Sequence, residues 1–338
     1  MPEEWRTQQR ARADAHLAAF LAANPGYSLD GGRLDWLLGT HYVTFGSGRG
    51  GPVVFKYYDG DPRKEHEGRA LKLFAPTGLV PEVLSETDVM LVMERLPGLP
   101  MNETERRLTQ PELDALYLSL GEAVARVVEV APGGGVTAGP AARFRAADEG
   151  DFYNTPYDAL HVLYRQADAA TFFDTTLARA ARVLRDRHVA HQDVLARSLA
   201  ALQQNRDAIL SHREFVHMDD FHTNNIMADG TRVTGFIDLE MTRCGNEVLL
   251  LGAVLCSMCG RPELWGPFRQ GYEHARGKRL DDATLALVQS AAPFSQWIRF
   301  TWYCSTDDTP HWAVGMNLGQ GTVESIAETV EGVGRMAL

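Results

Sequence analysis

FVHMDDFHTNNIMADGTRVTGFIDLE, residues 215–240, is the stretch on which the reading of this chain turns. It holds adjacent aspartates, Asp219 and Asp220, then His222, Asn224 and Asn225, a short strand-like run, and a second acidic pair, Asp238 and Glu240. Carboxylate and amide oxygens suit a hard cation such as Mg²⁺. An Asp followed a few residues later by an Asn, and further on by another Asp, is how phosphoryl-transfer enzymes hold a base and metal ions. Turn residues capping a loop would account for Asp219-Asp220 alone. They would not account for an ordered set, so the residues upstream decide.

Upstream, strands come first and helices later. Residues 3–24 space Trp5, Ala13, His16, Leu17, Phe20 and Leu21 as a helix, stopped by Asn24-Pro25-Gly26. From Trp36 the segments LLGTHYVTF and PVVFKYY are rich in β-branched and aromatic residues and predict strands, with GSGRGG between them. Gly46, Gly48 and Gly51 fit GxGxxG, a phosphate-cradling pattern. A dinucleotide fold would need a helix next, and a kinase glycine loop would need a whole strand before its lysine. VVFKYY meets neither requirement, so GSGRGG is expected to be a hairpin turn. The turn at Gly39-Thr40-His41, one strand earlier, is the better place for backbone N–H groups and a hydroxyl to meet phosphate oxygens.

Lys56 stands in a strand that otherwise wants apolar residues. Such a lysine is ordinarily an edge or solvent-face residue. Here a helix follows, with Ala70, Leu71 and Phe74 at apolar spacing and Glu65 and Glu67 in its first turns. A strand lysine paired to a helix glutamate fixes the lysine on nucleotide phosphates, and Glu67, one turn ahead of Leu71, shares the inward side. The plainer alternative is that both glutamates are solvated helix-start charges favoured by the helix dipole. Strands at Glu82–Leu84 and Val89–Met93 come next, and MERLPG breaks regular structure at Pro97 and Gly98. Helical patterns then dominate, apart from the opening stretch. This predicts an N-terminal helix and sheet over 1–97 and a mainly helical part over 98–338. His191-Gln192-Asp193 mimics an HxD motif, but Ser198 stands where an Asn is needed.

With 338 residues, 45% of them hydrophobic, the chain can bury a sizeable core. A formal net charge of −11 without a basic run argues against a nucleic-acid partner and favours a cationic small molecule. The start, MPEEWRTQQR, lacks the apolar segment of a secretory leader. No apolar run reaches the length of a membrane span, and the expected location is the cytoplasm. Cys256 and Cys259 form a CxxC inside VLLLGAVLCSMC, which reads as two small residues on a buried helix rather than a zinc or redox pair. No pattern in the sequence specifies an oligomeric state.

Lys56, Glu67, LVMERLPG, DFHTNNIM and GFIDLE, in this order, resemble the aminoglycoside phosphotransferase and choline-kinase-like family from about Leu37 to Leu255. The resemblance implies an α+β, protein-kinase-like two-lobe fold, a small antiparallel sheet lobe followed by a larger mainly helical one. The family's loop reads His-Gly-Asp-Leu-His-Pro-x-Asn-Ile-Leu, and two registers fit it. One takes Asp219 as base and Asn224 as metal ligand, with His217 leading. The other takes Asp220 and Asn225, matches Phe221, His222, Ile226 and Met227 by type, and departs at Met218, Asp219 and Thr223. The second keeps the alternation of buried apolar and polar residues and is preferred.

On that register the resemblance implies Asp220 as the base and Asn225 and Asp238 as Mg²⁺ ligands. Lys56, held by Glu67, would meet the phosphates of ATP or GTP beside Gly39 and Thr40. The backbone at Glu94 and Leu96 would meet the base. The expected activity is transfer of the nucleotide γ-phosphate to a small-molecule hydroxyl, on an antibiotic as a resistance enzyme. The alternatives are a metabolic kinase of the choline, methylthioribose or fructosamine type, a non-catalytic nucleotide-binding relic, and a metal hydrolase built on His217 and His222. Asp307-Asp308 and the tryptophans at 297, 302 and 312 are secondary candidates for an acceptor pocket, with core packing the plainer reading of the tryptophans.

Overall fold

The computed structural model describes residues 3–33, 41–59, 63–130, 168–186, 191–218, 221–305 and 320–336. Helix α1 (Glu3–Ala23) leads into an antiparallel five-stranded sheet in the order β1-β2-β3-β5-β4. Its strands are β1 (Ser28–Arg33), β2 (Tyr42–Gly48), β3 (Gly51–Tyr57), β4 (Val83–Glu86) and β5 (Met90–Glu94). Strand β1 was not anticipated: SLDGGR carries neither alternation nor β-branched residues and is held by pairing with β2. β3, β4 and β5 begin and end within two residues of their expected bounds, while residues 37–40 of the strand expected at LLGTHYVTF lie outside the described residues.

GSGRGG is a hairpin. Gly48 pairs with Gly51, so only Arg49 and Gly50 form the turn. Gly46 is required for another reason, since a Cβ there would lie 2.1 Å from the Ser28 carbonyl oxygen of β1.

β3 is the middle strand, and its period-2 alternation divides two layers. Val53, Phe55 and Tyr57 pack with Ala13, Leu17 and Phe20 of α1. Lys56 and Tyr58 face the other side, where α2 (Arg63–Phe74) lies. β5 does the same with an unbroken apolar run: Met90 and Val92 join the α1 layer, while Leu91 and Met93 join Ala70, Leu71 and Phe74 of α2. A strand covered on both faces needs no polar alternation.

Beyond Glu94 the chain turns through Gly98 (φ 94°) into β6 (Leu99–Pro100), which pairs with a hairpin of β8 (Ile226–Asp229) and β9 (Arg232–Phe236). A separate ribbon joins β7 (Glu214–Met218) to β10 (Thr242–Asn246). Around these lie α3 (Met101–Glu105), α4 (Gln110–Val127), α5 (Ala169–Asp186), α6 (Gln192–Gln204), α7 (Arg206–Leu210), α8 (Glu247–Ser257), α9 (Trp265–Arg276), α10 (Asp282–Ala291), α11 (Phe294–Ser305) and α12 (Gln320–Gly334). α8 is apolar nearly all round and accordingly buried. Cys256 lies in its core-facing side and Cys259 packs against that core; both are free thiols. Trp297 is fully buried and donates to Ser198 Oγ at 3.2 Å, so it is a core residue. His191 lies at the start of α6, away from any HxD loop. No helix among the described residues is long and apolar enough to cross a membrane.

Candidate active site

β3 presents Lys56 to the side of α2, and the sheet makes it a central rather than an edge residue, only 7% exposed. Its Nζ donates to Glu67 Oε2 at 2.7 Å and to Asp238 Oδ1 at 2.5 Å. Glu67 is 1% exposed because it lies on the face of α2 that carries Ala70, Leu71 and Phe74. Its Oε2 also accepts from the Tyr58 hydroxyl at 2.5 Å. The reading of Glu67 as a solvated helix-start charge is therefore set aside, whereas Glu65 fits it, exposed and paired with Arg69. The lysine ammonium also sits 5.2 Å from the centre of the Tyr58 ring.

The segment from Phe221 to Asn225 leads into β8. Asn225 donates its N–H to the His222 carbonyl and accepts from the Ile237 N–H, both at 2.9 Å. The second bond draws Asn225 beside Asp238, and both line one cavity with Met218, Phe221, Ile237 and Leu239. Asn224 is exposed. Asp238 takes a left-handed backbone (φ 61°, ψ 55°), sparsely populated for a non-glycine residue but tolerated by Asp. Such conformations concentrate at functional sites. Met218 is buried with its backbone paired to Thr242, so an apolar side chain fills the loop's base. Gly39, Thr40, Asp219, Asp220, Asp307, Asp308 and Trp312 lie outside the described residues, as do the side chains of His217 and Trp302.

At the strand exit, the Glu94 N–H donates to the Glu82 carbonyl at 2.9 Å and the Arg95 N–H to the Pro52 carbonyl at 3.0 Å. The Glu94 side chain is exposed and Leu96 is buried.

One group was missed in the sequence as a site residue. Glu240 is 6% exposed and gathers basic side chains from three directions. Arg63 Nη1 donates to its Oε1 at 3.0 Å, while His41 Nδ1 lies 3.1 Å and Lys56 Nζ 3.5 Å from its Oε2. The signal was the second acid of IDLE together with an arginine opening the helix of Glu67. Neither points to the other locally.

Burial opposes the Lys56 ammonium, but Asp238, Glu67, Tyr58 and Glu240 outweigh it and hold its pKa well above the usual lysine value. Glu240 is held well below the carboxylate range: burial pushes it up, and His41, Lys56 and Arg63 prevail. Asp238 moves the other way, up to about 6, through burial first, with Lys56 pulling down and Glu240 and Glu67 pushing up. Its side chain is 38% exposed, so water in the cleft tempers that rise and the upward direction is what the geometry carries. Oxygens of Glu67, Asp238 and Glu240 all lie within 4.8 Å of one another. Of the three carboxylates, only that of Asp238 keeps an open face.

The family model of the phosphotransferase enzyme family matches residues 40–288, most of the chain. The chain belongs to that family. It is a small-molecule phosphotransferase with an alcohol group as acceptor. Solved structures show the same protein-kinase-like fold. A macrolide 2'-phosphotransferase from Brachybacterium faecium shares 19% identity over 93% of this chain and 97% of that one, with a TM-score of 0.51. A choline/ethanolamine kinase family protein from Mesorhizobium loti shares 16% over 96% and 100%, at 0.56. A thermostable mutant of an aminoglycoside phosphotransferase shares 15% over 90% and 93%, at 0.57. No curated protein sequence matches this chain.

Proposed function

We propose that this phosphotransferase moves the γ-phosphate of ATP or GTP to a hydroxyl of a cationic small molecule, an antibiotic of the aminoglycoside or macrolide kind. The observation that carries the reading is Lys56 held between Glu67 and Asp238, with Asn225 bonded alongside Asp238 in the same cavity. In this reading Lys56 meets the α and β phosphates, and Gly39 and Thr40 meet the phosphates from the turn before β2. The base lies against the strand exit. There the Glu94 N–H is already used, which leaves the Glu94 carbonyl and the Leu96 N–H as its partners.

Asp220 orients the acceptor hydroxyl and takes its proton. The open carboxylate of Asp238 and the amide oxygen of Asn225 form an oxygen donor set that fits Mg²⁺. When bound, the ion offsets phosphate charge. The exposure of Asn224 and the placement of Asn225 support the Asp220/Asn225 register. The chain then works as a sheet part over 1–97 and a helical part over 98–338, joined at the Pro97-Gly98 turn, in the cytoplasm where nucleoside triphosphates are supplied.

The net charge of −11 suits aminoglycosides, and it suits choline-like amino alcohols equally. A metabolic kinase is therefore the second reading, favoured by the likeness to the choline/ethanolamine kinase family protein. The test incubates the full chain with Mg²⁺ and ATP or GTP against aminoglycosides, macrolides, choline, ethanolamine and methylthioribose. Mass spectrometry then scores gain of one phosphoryl group. Transfer to an antibiotic supports the first reading and transfer only to an amino alcohol or sugar the second. Nucleotide binding without transfer to any acceptor, and without hydrolysis, would point to a relic of the fold.

A further inference from the structure

Glu240 has no task in the reaction, yet Arg63, His41 and Lys56 all lie within 3.5 Å of its buried carboxylate, whose Oε2 makes no hydrogen bond. It sits in the short turn Leu239–Met241, directly after the left-handed Asp238. Its three basic neighbours belong to three different elements. His41 directly precedes β2 and adjoins the segment that holds Gly39 and Thr40. Arg63 opens α2, one turn before Glu67. Lys56 belongs to β3. A second bond follows the same path, from His66 Nε2 of α2 to the Thr242 carbonyl at 2.7 Å.

A three-carboxylate metal site is the competing account of these oxygens. It fails on charge: the Lys56 ammonium already lies against all three carboxylates, 2.7 Å from Glu67 Oε2, 2.5 Å from Asp238 Oδ1 and 3.5 Å from Glu240 Oε2. Both glutamates are also nearly closed to solvent.

We infer that Glu240 is a positioning residue, a latch that fastens α2 and the start of β2 to the Asp238 turn so that Lys56 and Asp238 stay aligned on a nucleotide's phosphates. The inference rests on the reading of this cleft as a nucleotide site. A carboxylate buried beside two or three cations is costly to remove and holds its partners in one arrangement. Side chains that orient a ligand group from behind typically matter by about 10–100-fold in affinity or activity.

The test measures affinity of the full chain for MgATP and MgGTP by calorimetry, well below the thermal midpoint, in Glu240→Gln, Arg63→Gln and the double variant. Each single variant is expected to bind about 10–100-fold more weakly, and the double variant no more weakly than the weaker single. A lower midpoint with unchanged affinity would mean that Glu240 serves folding only, and overturns the inference. So does wild-type affinity regained by raising Mg²⁺ alone, which would make Glu240 a metal ligand. Additive losses overturn it too, since the two residues would then act separately. Should Glu240→Gln not fold by circular dichroism, Arg63→Gln and His41→Asn carry the same comparison. A wild-type chain that binds neither nucleotide defeats the nucleotide reading itself, whereas normal wild-type binding with an unaffected Glu240→Gln defeats the latch alone.

Discussion

The two ends of the cleft hold their charges differently. At the Lys56–Glu67–Glu240 end the ionic side chains are each under a tenth exposed and bonded to partners within the protein. At the Asn225–Asp238 end the side chains keep contact with solvent, and Asp238 holds Lys56 with one oxygen of a half-buried carboxylate. A group that must keep its place through turnover is enclosed and multiply bonded, because each bond removes an alternative arrangement. A group that must take up and release a ligand keeps an open face and carries its strain in the backbone.

The largest effect should come from breaking the closed end. Glu67→Ala leaves the buried Lys56 short of a partner, and should lower stability by about 3–5 kcal/mol in denaturant melts. A loss under 1 kcal/mol would mean that the pair is not buried in solution. The open end should break in activity rather than in folding. Asp238→Asn should cut transfer by about 100–1,000-fold with a much smaller drop in thermal midpoint than Glu67→Ala. A comparable drop would erase the contrast between the ends.

Asn225→Ala should cost about 10–100-fold in transfer and be partly rescued by extra Mg²⁺, while Asn224→Ala stays near wild type. The reverse would make Asp219 and Asn224 the working register. Away from the cleft, Asn246 caps α8 by accepting from the Leu249 N–H and donates to the Ile209 carbonyl, both while buried. Asn246→Ala should therefore lower stability by about 1–2 kcal/mol and leave nucleotide affinity unchanged. Smallest is Arg206→Ala. Its pair with Asp174 is 39% and 47% exposed, and the change should stay within about 0.5 kcal/mol, a baseline for the buried pairs.

Much of the fold was legible because its signals are local. The helix of residues 3–24, the strands on either side of GSGRGG and the helices after Glu240 follow from apolar spacing and from where Gly and Pro interrupt it. The misreadings are of the opposite kind. β1 is a strand because β2 is beside it, with Gly46 admitting its backbone, and SLDGGR carries no sign of this. The crossing of α4 and α9 was likewise hidden. A Cβ on Gly121 would lie 2.0 Å from the Phe268 carbonyl oxygen, and one on Gly271 1.9 Å from that of Leu118. In sequence each looks like a weak helix residue.

The sequence by itself determined which chemistry is present and in what order: a strand lysine, a helix glutamate, a break at Pro97-Gly98, and a loop of amides and carboxylates closed by IDLE. These are matters of residue type and short-range period. Only the tertiary structure decided which of those groups are enclosed and which are open. It set Asn225 beside Asp238, left Asn224 in solvent, and brought Arg63 to Glu240 across 177 positions of chain. The reason is physical. Desolvation and ion pairing depend on what surrounds an atom in space, and no pattern of neighbours along the chain encodes a partner that distant.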